Sequence, residues 1–177
     1  MITLVLGGTR SGKSEVAESL AARSAGPVTY VATYVAAPAD GGAPDEDMAA
    51  RVAVHRARRP DGWATVEAGA DLPAVVAGLA GTVLVDSLGT WVAGLPGLAP
   101  DAAALCDALR SRARAGAGDT IVVSEEVGLG VHPPTEAGRR FADALGLLNR
   151  AVSGVADRAL LVVAGRALRL DPVDALL

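Results

Sequence analysis

Short apolar stretches alternate with longer amphipathic segments along the chain, and each kind predicts one type of element. The short stretches are rich in valine and leucine, which is typical of strands buried on both faces. Strands are predicted at residues 2–6, 28–33, 63–67, 82–86, 120–124, 159–163 and 167–170. Helices are predicted from the glycine-rich segment to Ser24 and at residues 45–59, 71–80, 100–114 and 135–155. This alternation predicts an α/β fold in which helices flank a mostly parallel sheet.

Composition narrows the class of protein. The 177 residues favour a single domain spanning 1–177, and aromatic residues are only 3 %, so the core must be aliphatic. The net charge of −4 argues against broad nucleic-acid binding. Cys106 and two histidines are too few for a four-ligand Cys/His zinc site. Since apolar runs are too short to cross a bilayer, we expect a cytoplasmic protein without a membrane span.

The segment at residues 7–14, GGTRSGKS, matches the phosphate-loop pattern G-x-x-x-x-G-K-[ST] in full. It follows a predicted strand and precedes a predicted helix, as that motif requires. In such a loop backbone N–H groups surround a phosphate and the helix N-terminus faces the anion. Lys13, which is the only lysine in the chain, would reach the β and γ phosphates, and Ser14 would ligate Mg²⁺. The pattern predicts a P-loop NTPase-like nucleotide-binding domain.

An acidic residue at the end of a neighbouring strand is expected to help hold the magnesium ion. Asp86 follows the apolar run at 83–85 and is the best candidate. Glu125 and Glu126 follow the run at 121–124 and are the alternatives for a metal or base role.

The predicted helix at 45–59 carries a histidine among arginines. Arg51, His55, Arg58 and Arg59 are spaced i, i+4, i+7 and i+8, so they share one face. Such a cluster is favourable when an anion lies between its members, and neighbouring cations favour the neutral imidazole that can attack phosphorus. The alternative interpretation is a solvated basic face at the end of a helix.

These motifs together resemble those of the bifunctional adenosylcobinamide kinase/adenosylcobinamide-phosphate guanylyltransferase family of cobalamin biosynthesis. The resemblance covers residues 2 to about 170. The motifs that carry it are GGTRSGKS at 7–14, YVAT at 30–33, MAARV at 48–52, HRARRP at 55–60 with Trp63, Thr65 and Glu67, VLVDSL at 83–88 with Trp91, EVGLG at 126–130, and Gly138-Arg139 with Phe141, Asp143, Gly146 and Asn149. The histidine–arginine–proline–tryptophan block is the specific part, because many families share the phosphate loop.

The resemblance implies two reactions and a set of site residues. A nucleoside triphosphate, ATP or GTP, phosphorylates the aminopropanol hydroxyl of adenosylcobinamide, and GTP then donates GMP through a guanylylated histidine, which matches His55. Lys13 is the second catalytic residue. The nucleotide contacts map onto Gly7, Gly8, Thr9, Arg10, Ser11, Gly12, Lys13, Ser14, Ala32, Thr33, Tyr34, Arg56, Ala57, Arg58, Arg59, Glu67 and Asp86, with Ser14 and Asp86 on the metal.

The resemblance also implies a corrinoid substrate, Mg²⁺ and a homo-oligomer, a trimer, with sites near subunit boundaries. Two alternatives stay open at this stage. One is a P-loop kinase for another small alcohol or nucleotide, in which His55 only binds phosphate. The other is a nucleotide-dependent switch without small-molecule turnover.

Overall fold

A computed structural model describes residues 1–24, 26–34 and 60–175. Within these ranges the strands are β1 (Ile2–Gly7), β2 (Val28–Ala32), β3 (Ala64–Glu67), β4 (Thr82–Asp86), β5 (Thr120–Glu125), β6 (Arg158–Val163) and β7 (Arg166–Leu170). The α-helices are α1 (Lys13–Ala21), α2 (Leu72–Gly78), α3 (Leu88–Gly94), α4 (Ala102–Arg114) and α5 (Glu136–Ser153). Short 3₁₀ turns occupy Gly69–Asp71, Pro96–Leu98 and Val173–Ala175.

The seven strands form one sheet in the order β3-β2-β4-β5-β1-β6-β7. Every neighbouring pair is parallel except β6 and β7, which form an antiparallel hairpin. The predicted α/β fold with a mostly parallel sheet is therefore confirmed. Because β5 lies between β1 and β4, the strand that ends in Asp86 is the second neighbour of the phosphate-loop strand.

Two apolar clusters cover the two faces of the sheet, because successive side chains on a strand point to opposite faces. On one face Ala17 and Ala21 of α1 pack against residues such as Val5 and Val123. On the other face the remaining helices pack against residues such as Leu4. The helix residues of that second cluster include Leu72, Val76, Leu88, Trp91, Leu105, Leu109, Leu145, Leu148 and Val152. Small alanines let α1 lie close to the sheet, which positions the phosphate loop that precedes it.

Most predicted elements are present with shifted ends, and one helix was missed. The first helix ends at Ala21 rather than Ser24, and the predicted helix at 71–80 spans Leu72–Gly78. The α3 helix was not predicted. Its sequence, LGTWVAG, is only seven residues long and has a glycine near each end, so it shows little helical periodicity of apolar residues. Ser87 and Thr90 form a capping box that starts this helix. The predicted helix at 45–59 lies outside the described residues.

Candidate functional site

The predicted site residues that the structure describes lie at one edge of the sheet. The phosphate loop follows β1, and the ends of β2, β3, β4 and β5 carry Thr33, Glu67, Asp86 and Glu125. Since these strands are parallel, their carboxyl ends meet at the same edge, where ligands bind in open α/β sheets. The topology thus brings together residues that are up to 118 positions apart in sequence, from Gly7 to Glu125.

The phosphate loop has the backbone geometry that a cradle for an anion needs. Gly12 has φ of 91°, a left-handed conformation that favours glycine, and it precedes the first turn of α1. A Cβ on Gly7 would meet the Ser11 hydroxyl and would come within 2.8 Å of the Val162 carbonyl oxygen. The Gly165 amide, in the β6–β7 turn, donates a 2.8 Å hydrogen bond to the Ser11 carbonyl and holds the loop from outside.

Lys13 lies across this loop. Its Nζ donates to the Gly8 carbonyl at 3.4 Å and pairs with Glu125 Oε1 at 3.5 Å, while only 12 % of the side chain is exposed. The α1 N-terminus beneath it has no side-chain cap, because its N-cap residue is Gly12. The ammonium group and the positive end of the helix dipole therefore act on the same space above the loop.

Ser14 and Asp86 form the oxygen pair predicted to hold magnesium. The Ser14 hydroxyl donates to Asp86 Oδ1 at 3.4 Å, and the buried Tyr30 hydroxyl donates to Oδ2 at 3.0 Å. The pair meets because α1 packs across β4 as well as β1. A hydroxyl and a carboxylate are hard oxygen donors, which fit Mg²⁺ bound through one or two protein groups and substrate phosphates. Among the described residues, no three His, Cys, Asp or Glu side chains are grouped to hold a metal.

Glu125 is fixed by contacts that the sequence did not suggest. The Ser87 hydroxyl lies 2.9 and 3.0 Å from its two carboxylate oxygens, and the Gly89 amide donates to Oε2 at 3.0 Å. Its backbone carbonyl accepts from Asn149 Nδ2 at 3.0 Å. The S-x-x-T sequence of the capping box could have indicated the start of α3, but it does not indicate that Ser87 contacts Glu125.

The ends of β2 and β3 carry the remaining predicted contacts. Thr33 is buried, and its hydroxyl donates to the Ser87 carbonyl at 2.7 Å and accepts from the Ser87 amide at 2.9 Å. Ala32 pairs with Glu67 across the two strands and also with Asp86 of β4. Tyr34, which follows Thr33, is half-buried. The Thr33 hydroxyl therefore stabilises the backbone at Ser87.

One group of predicted site residues belongs to the segment at 35–59. His55, Arg56, Ala57, Arg58 and Arg59 lie outside the described residues. Their roles stay predictions from the sequence.

Comparisons with known proteins show which family this sequence resembles. The sequence model of the cobinamide kinase / cobinamide phosphate guanyltransferase family matches residues 3–170. The bifunctional adenosylcobalamin biosynthesis protein CobP of Pseudomonas aeruginosa is 39 % identical over 174 residues, which cover 93 % of this chain and 94 % of that protein. The CobU proteins of Escherichia coli and Salmonella typhimurium are 30 % and 31 % identical, each across 93 % of this chain and 97 % of the relative.

Solved structures support the fold alone. The P4 protein of bacteriophage phi6 in complex with ADP has a TM-score of 0.51 at 18 % identity, covering 94 % of this chain and 53 % of that one. A prototypical ATPase from the type III secretion system of pathogenic bacteria has a TM-score of 0.51 at 11 % identity, covering 95 % and 56 %. The chain thus spans about half the length of these structures. Their likeness confirms the P-loop NTPase-like fold class.

Within residues 1–24, 26–34 and 60–175, no helix has the length and apolar character that a membrane crossing requires. The match of the family model to almost the whole chain, together with three relatives at 30 % identity or more, settles the class of this protein. The chain belongs to the cobinamide kinase / cobinamide phosphate guanyltransferase family, the bifunctional enzymes of adenosylcobalamin biosynthesis.

Proposed function

We propose that this chain catalyses two successive transfers to one corrinoid. In the first, the aminopropanol hydroxyl of adenosylcobinamide attacks the γ-phosphorus of ATP or GTP, and the nucleoside diphosphate leaves. In the second, His55 attacks the α-phosphorus of GTP and releases pyrophosphate. The phosphate group of adenosylcobinamide phosphate then takes GMP from the histidine, giving adenosylcobinamide-GDP.

The arrangement of Lys13, Ser14 and Asp86 around the phosphate loop is the observation that carries this proposal. Lys13 offers a cation to the β and γ phosphates, and the helix N-terminus adds favourable potential for an anion. A triphosphate bound here would have its terminal phosphates fixed and its α-phosphate further out. That geometry serves both a γ-phosphoryl transfer and an attack on the α-phosphorus.

Mg²⁺ is the metal that the Ser14–Asp86 pair fits, and when bound it would neutralise charge on the phosphate oxygens. Tyr30 orients the Asp86 carboxylate by donating to the oxygen that does not face Ser14. The chain would therefore supply the metal with one hydroxyl and one carboxylate, and Tyr30 would hold that carboxylate by a hydrogen bond.

The histidine step rests on residue type and on family membership. A neutral imidazole nitrogen is a good nucleophile toward phosphorus, and a covalent phosphoramidate divides one displacement into two. The arginines at 56, 58 and 59 would offset charge that develops on the phosphates. The kinase and guanyltransferase activities in the description of the family model, and the word bifunctional in the names of the relatives, are consistent with this pathway.

Covalent labelling tests the histidine step. GTP labelled on the α-phosphate should give an acid-labile, base-stable adduct, whereas γ-labelled GTP should leave no label. His55→Ala should abolish the adduct. His132→Ala is the matched control, because His132 is the only other histidine and is exposed in the loop before α5. It should retain the label.

The outcomes separate the candidate functions. If the wild-type protein phosphorylates its acceptor but never becomes labelled, it is a P-loop kinase, and the proposed guanylyl-histidine intermediate is wrong. Slow hydrolysis that responds only to a protein partner would indicate a nucleotide switch. If the label survives in His55→Ala but disappears in His132→Ala, the nucleophile is His132 and the proposed role of His55 is wrong.

The same proposal includes three further properties. The substrate is a corrinoid, the protein is a trimeric homo-oligomer, and it is located in the cytoplasm. Sedimentation of the purified chain at several concentrations would measure its oligomeric state directly.

A further inference from the structure

The two acids at the carboxyl edge have different partners. Asp86 is hydrogen-bonded to Ser14 and Tyr30, on the side predicted to hold the metal. Glu125 is paired with Lys13, whose ammonium group reaches the β and γ phosphates in a phosphate loop. The Glu125 carboxylate therefore lies at the γ end of the triphosphate site, where a phosphoryl acceptor must approach.

The Glu125 carboxylate is also oriented by contacts within the protein. The Ser87 hydroxyl and the Gly89 amide fix it from the start of α3, and the Asn149 amide holds the backbone from α5. A Cβ on Gly89 would overlap Oε2, so the position of the carboxylate depends on the absence of a side chain there. Neighbouring Glu126 instead turns back to its own loop, where Oε1 accepts from the Gly128 amide at 2.6 Å.

We propose that Glu125 is the general base of the kinase step and takes no part in guanylyl transfer. This inference rests on the proposed function. The acceptor hydroxyl gives its proton to the Glu125 carboxylate as its oxygen forms a bond to the γ-phosphorus. The bond from that phosphorus to the β–γ bridging oxygen breaks, and the nucleoside diphosphate leaves with the bonding pair.

The chemistry of the nucleophiles separates the two reactions. Only the kinase step uses an alcohol, which must lose a proton as it reacts. The neutral imidazole of His55 attacks with a lone pair, and the phosphate group that later takes GMP is already an oxyanion. A base beside Lys13 is therefore required once in the cycle.

Glu125→Gln tests this assignment, because it removes the base and keeps the shape of the side chain. Phosphoryl transfer from ATP to adenosylcobinamide should fall about a hundredfold or more in kcat, with little change in the KM for ATP. Formation of the α-labelled adduct from GTP should stay within about threefold of wild type. Glu136→Gln removes an exposed carboxylate from the first turn of α5 and should leave both rates unchanged.

Gly89→Ala provides a second test without removing any charge. Gly89 lies inside helix α3, where alanine is well tolerated, so the new methyl group should displace only the Glu125 carboxylate. We expect a loss of phosphoryl transfer of about tenfold or more, again with adduct formation retained.

Three results would overturn the assignment. Equal loss of both reactions in Glu125→Gln would mean that Glu125 acts through Lys13 on triphosphate binding. Unchanged phosphoryl transfer would exclude Glu125 as the base, and selective loss in Glu126→Gln would transfer the role to Glu126. Absence of the adduct in the wild-type protein is a different result, because it contradicts the proposed histidine step and leaves the kinase comparison intact.

Discussion

Cations lie at both edges of the sheet, and their partners differ. At the carboxyl edge Lys13 meets the Glu125 carboxylate and one carbonyl at 3.4–3.5 Å. At the amino edge Arg112 of α4 is 2 % exposed and donates to Thr120 Oγ1 at 3.1 Å and to the Gly81 carbonyl at 2.7 Å. Arg112 also donates to the carbonyls of Val76 and Leu79. Burial lowers the pKa of Arg112, although an arginine still remains charged at neutral pH.

This difference separates a structural cation from one suited to a ligand. Arg112 holds the C-terminal end of α2 and the turn before β4 through neutral carbonyl acceptors, so its hydrogen bonds are used within the protein. Lys13 has longer contacts and lies over the loop at 7–14, which we propose binds the phosphates of a nucleotide. We therefore expect changes at Lys13 to affect catalysis and changes at Arg112 to affect stability.

Lys13→Ala should produce the largest effect. Both phosphoryl transfer and adduct formation should fall about a hundredfold or more, because the β and γ phosphates lose their cation. Lys13→Arg should also be impaired, since a planar guanidinium does not replace a compact ammonium group. Arg23→Ala, an exposed cation just beyond the far end of α1, is the control and should retain both activities. Steady-state rates and labelling measure this, and retained guanylyl transfer in Lys13→Ala would mean separate nucleotide sites.

Arg112→Met should reduce the free energy of unfolding by about 3 kcal/mol, because buried carbonyls and Thr120 lose their donor. Activity per folded molecule should be unchanged. Arg110→Met is the control on the same helix. Its ion pair with Asp107 is solvent-exposed, and surface pairs contribute about 0–1 kcal/mol. Urea denaturation compares the two variants, and equal stability would contradict a structural role for Arg112.

Tyr30→Phe should have the smallest effect. It removes the hydroxyl that donates to Asp86 Oδ2, so the Mg²⁺ concentration for half-maximal phosphoryl transfer should rise about tenfold. The maximal rate at saturating Mg²⁺ should change little. A magnesium titration of the rate measures this, and an unchanged midpoint would contradict a role for the Tyr30 hydroxyl in orienting Asp86 toward the metal.

The phosphate loop could be predicted from the sequence because its chemistry is local. Eight consecutive residues specify the turn, the lysine and the hydroxyl, and the strand before them is mostly aliphatic. Asp86 could be predicted as well, since it directly follows such a run. What the sequence did not contain was the sheet order, which places β5 between the strands of Gly7 and Asp86.

The orientation of Glu125 and the burial of Arg112 depend on contacts between distant segments. Ser87 and Gly89 are 38 and 36 residues from Glu125, and no pattern links them. An arginine in the last turn of an amphipathic helix is usually solvated. Here Arg112 is buried instead, because it donates hydrogen bonds to carbonyls at the end of α2. Such tertiary hydrogen bonds leave no periodic signal in the chain.

The structure of the protein with GTP and Mg²⁺ bound tests the central claim most directly, which is that one triphosphate site serves both transfers. The account predicts the β and γ phosphates on the loop at 7–14 beside Lys13, the metal between Ser14 and Asp86, and a ring nitrogen of His55 about 3–3.5 Å from the α-phosphorus. A triphosphate bound away from Lys13, or a His55 ring far from the α-phosphorus of every GTP in the assembly, would contradict it.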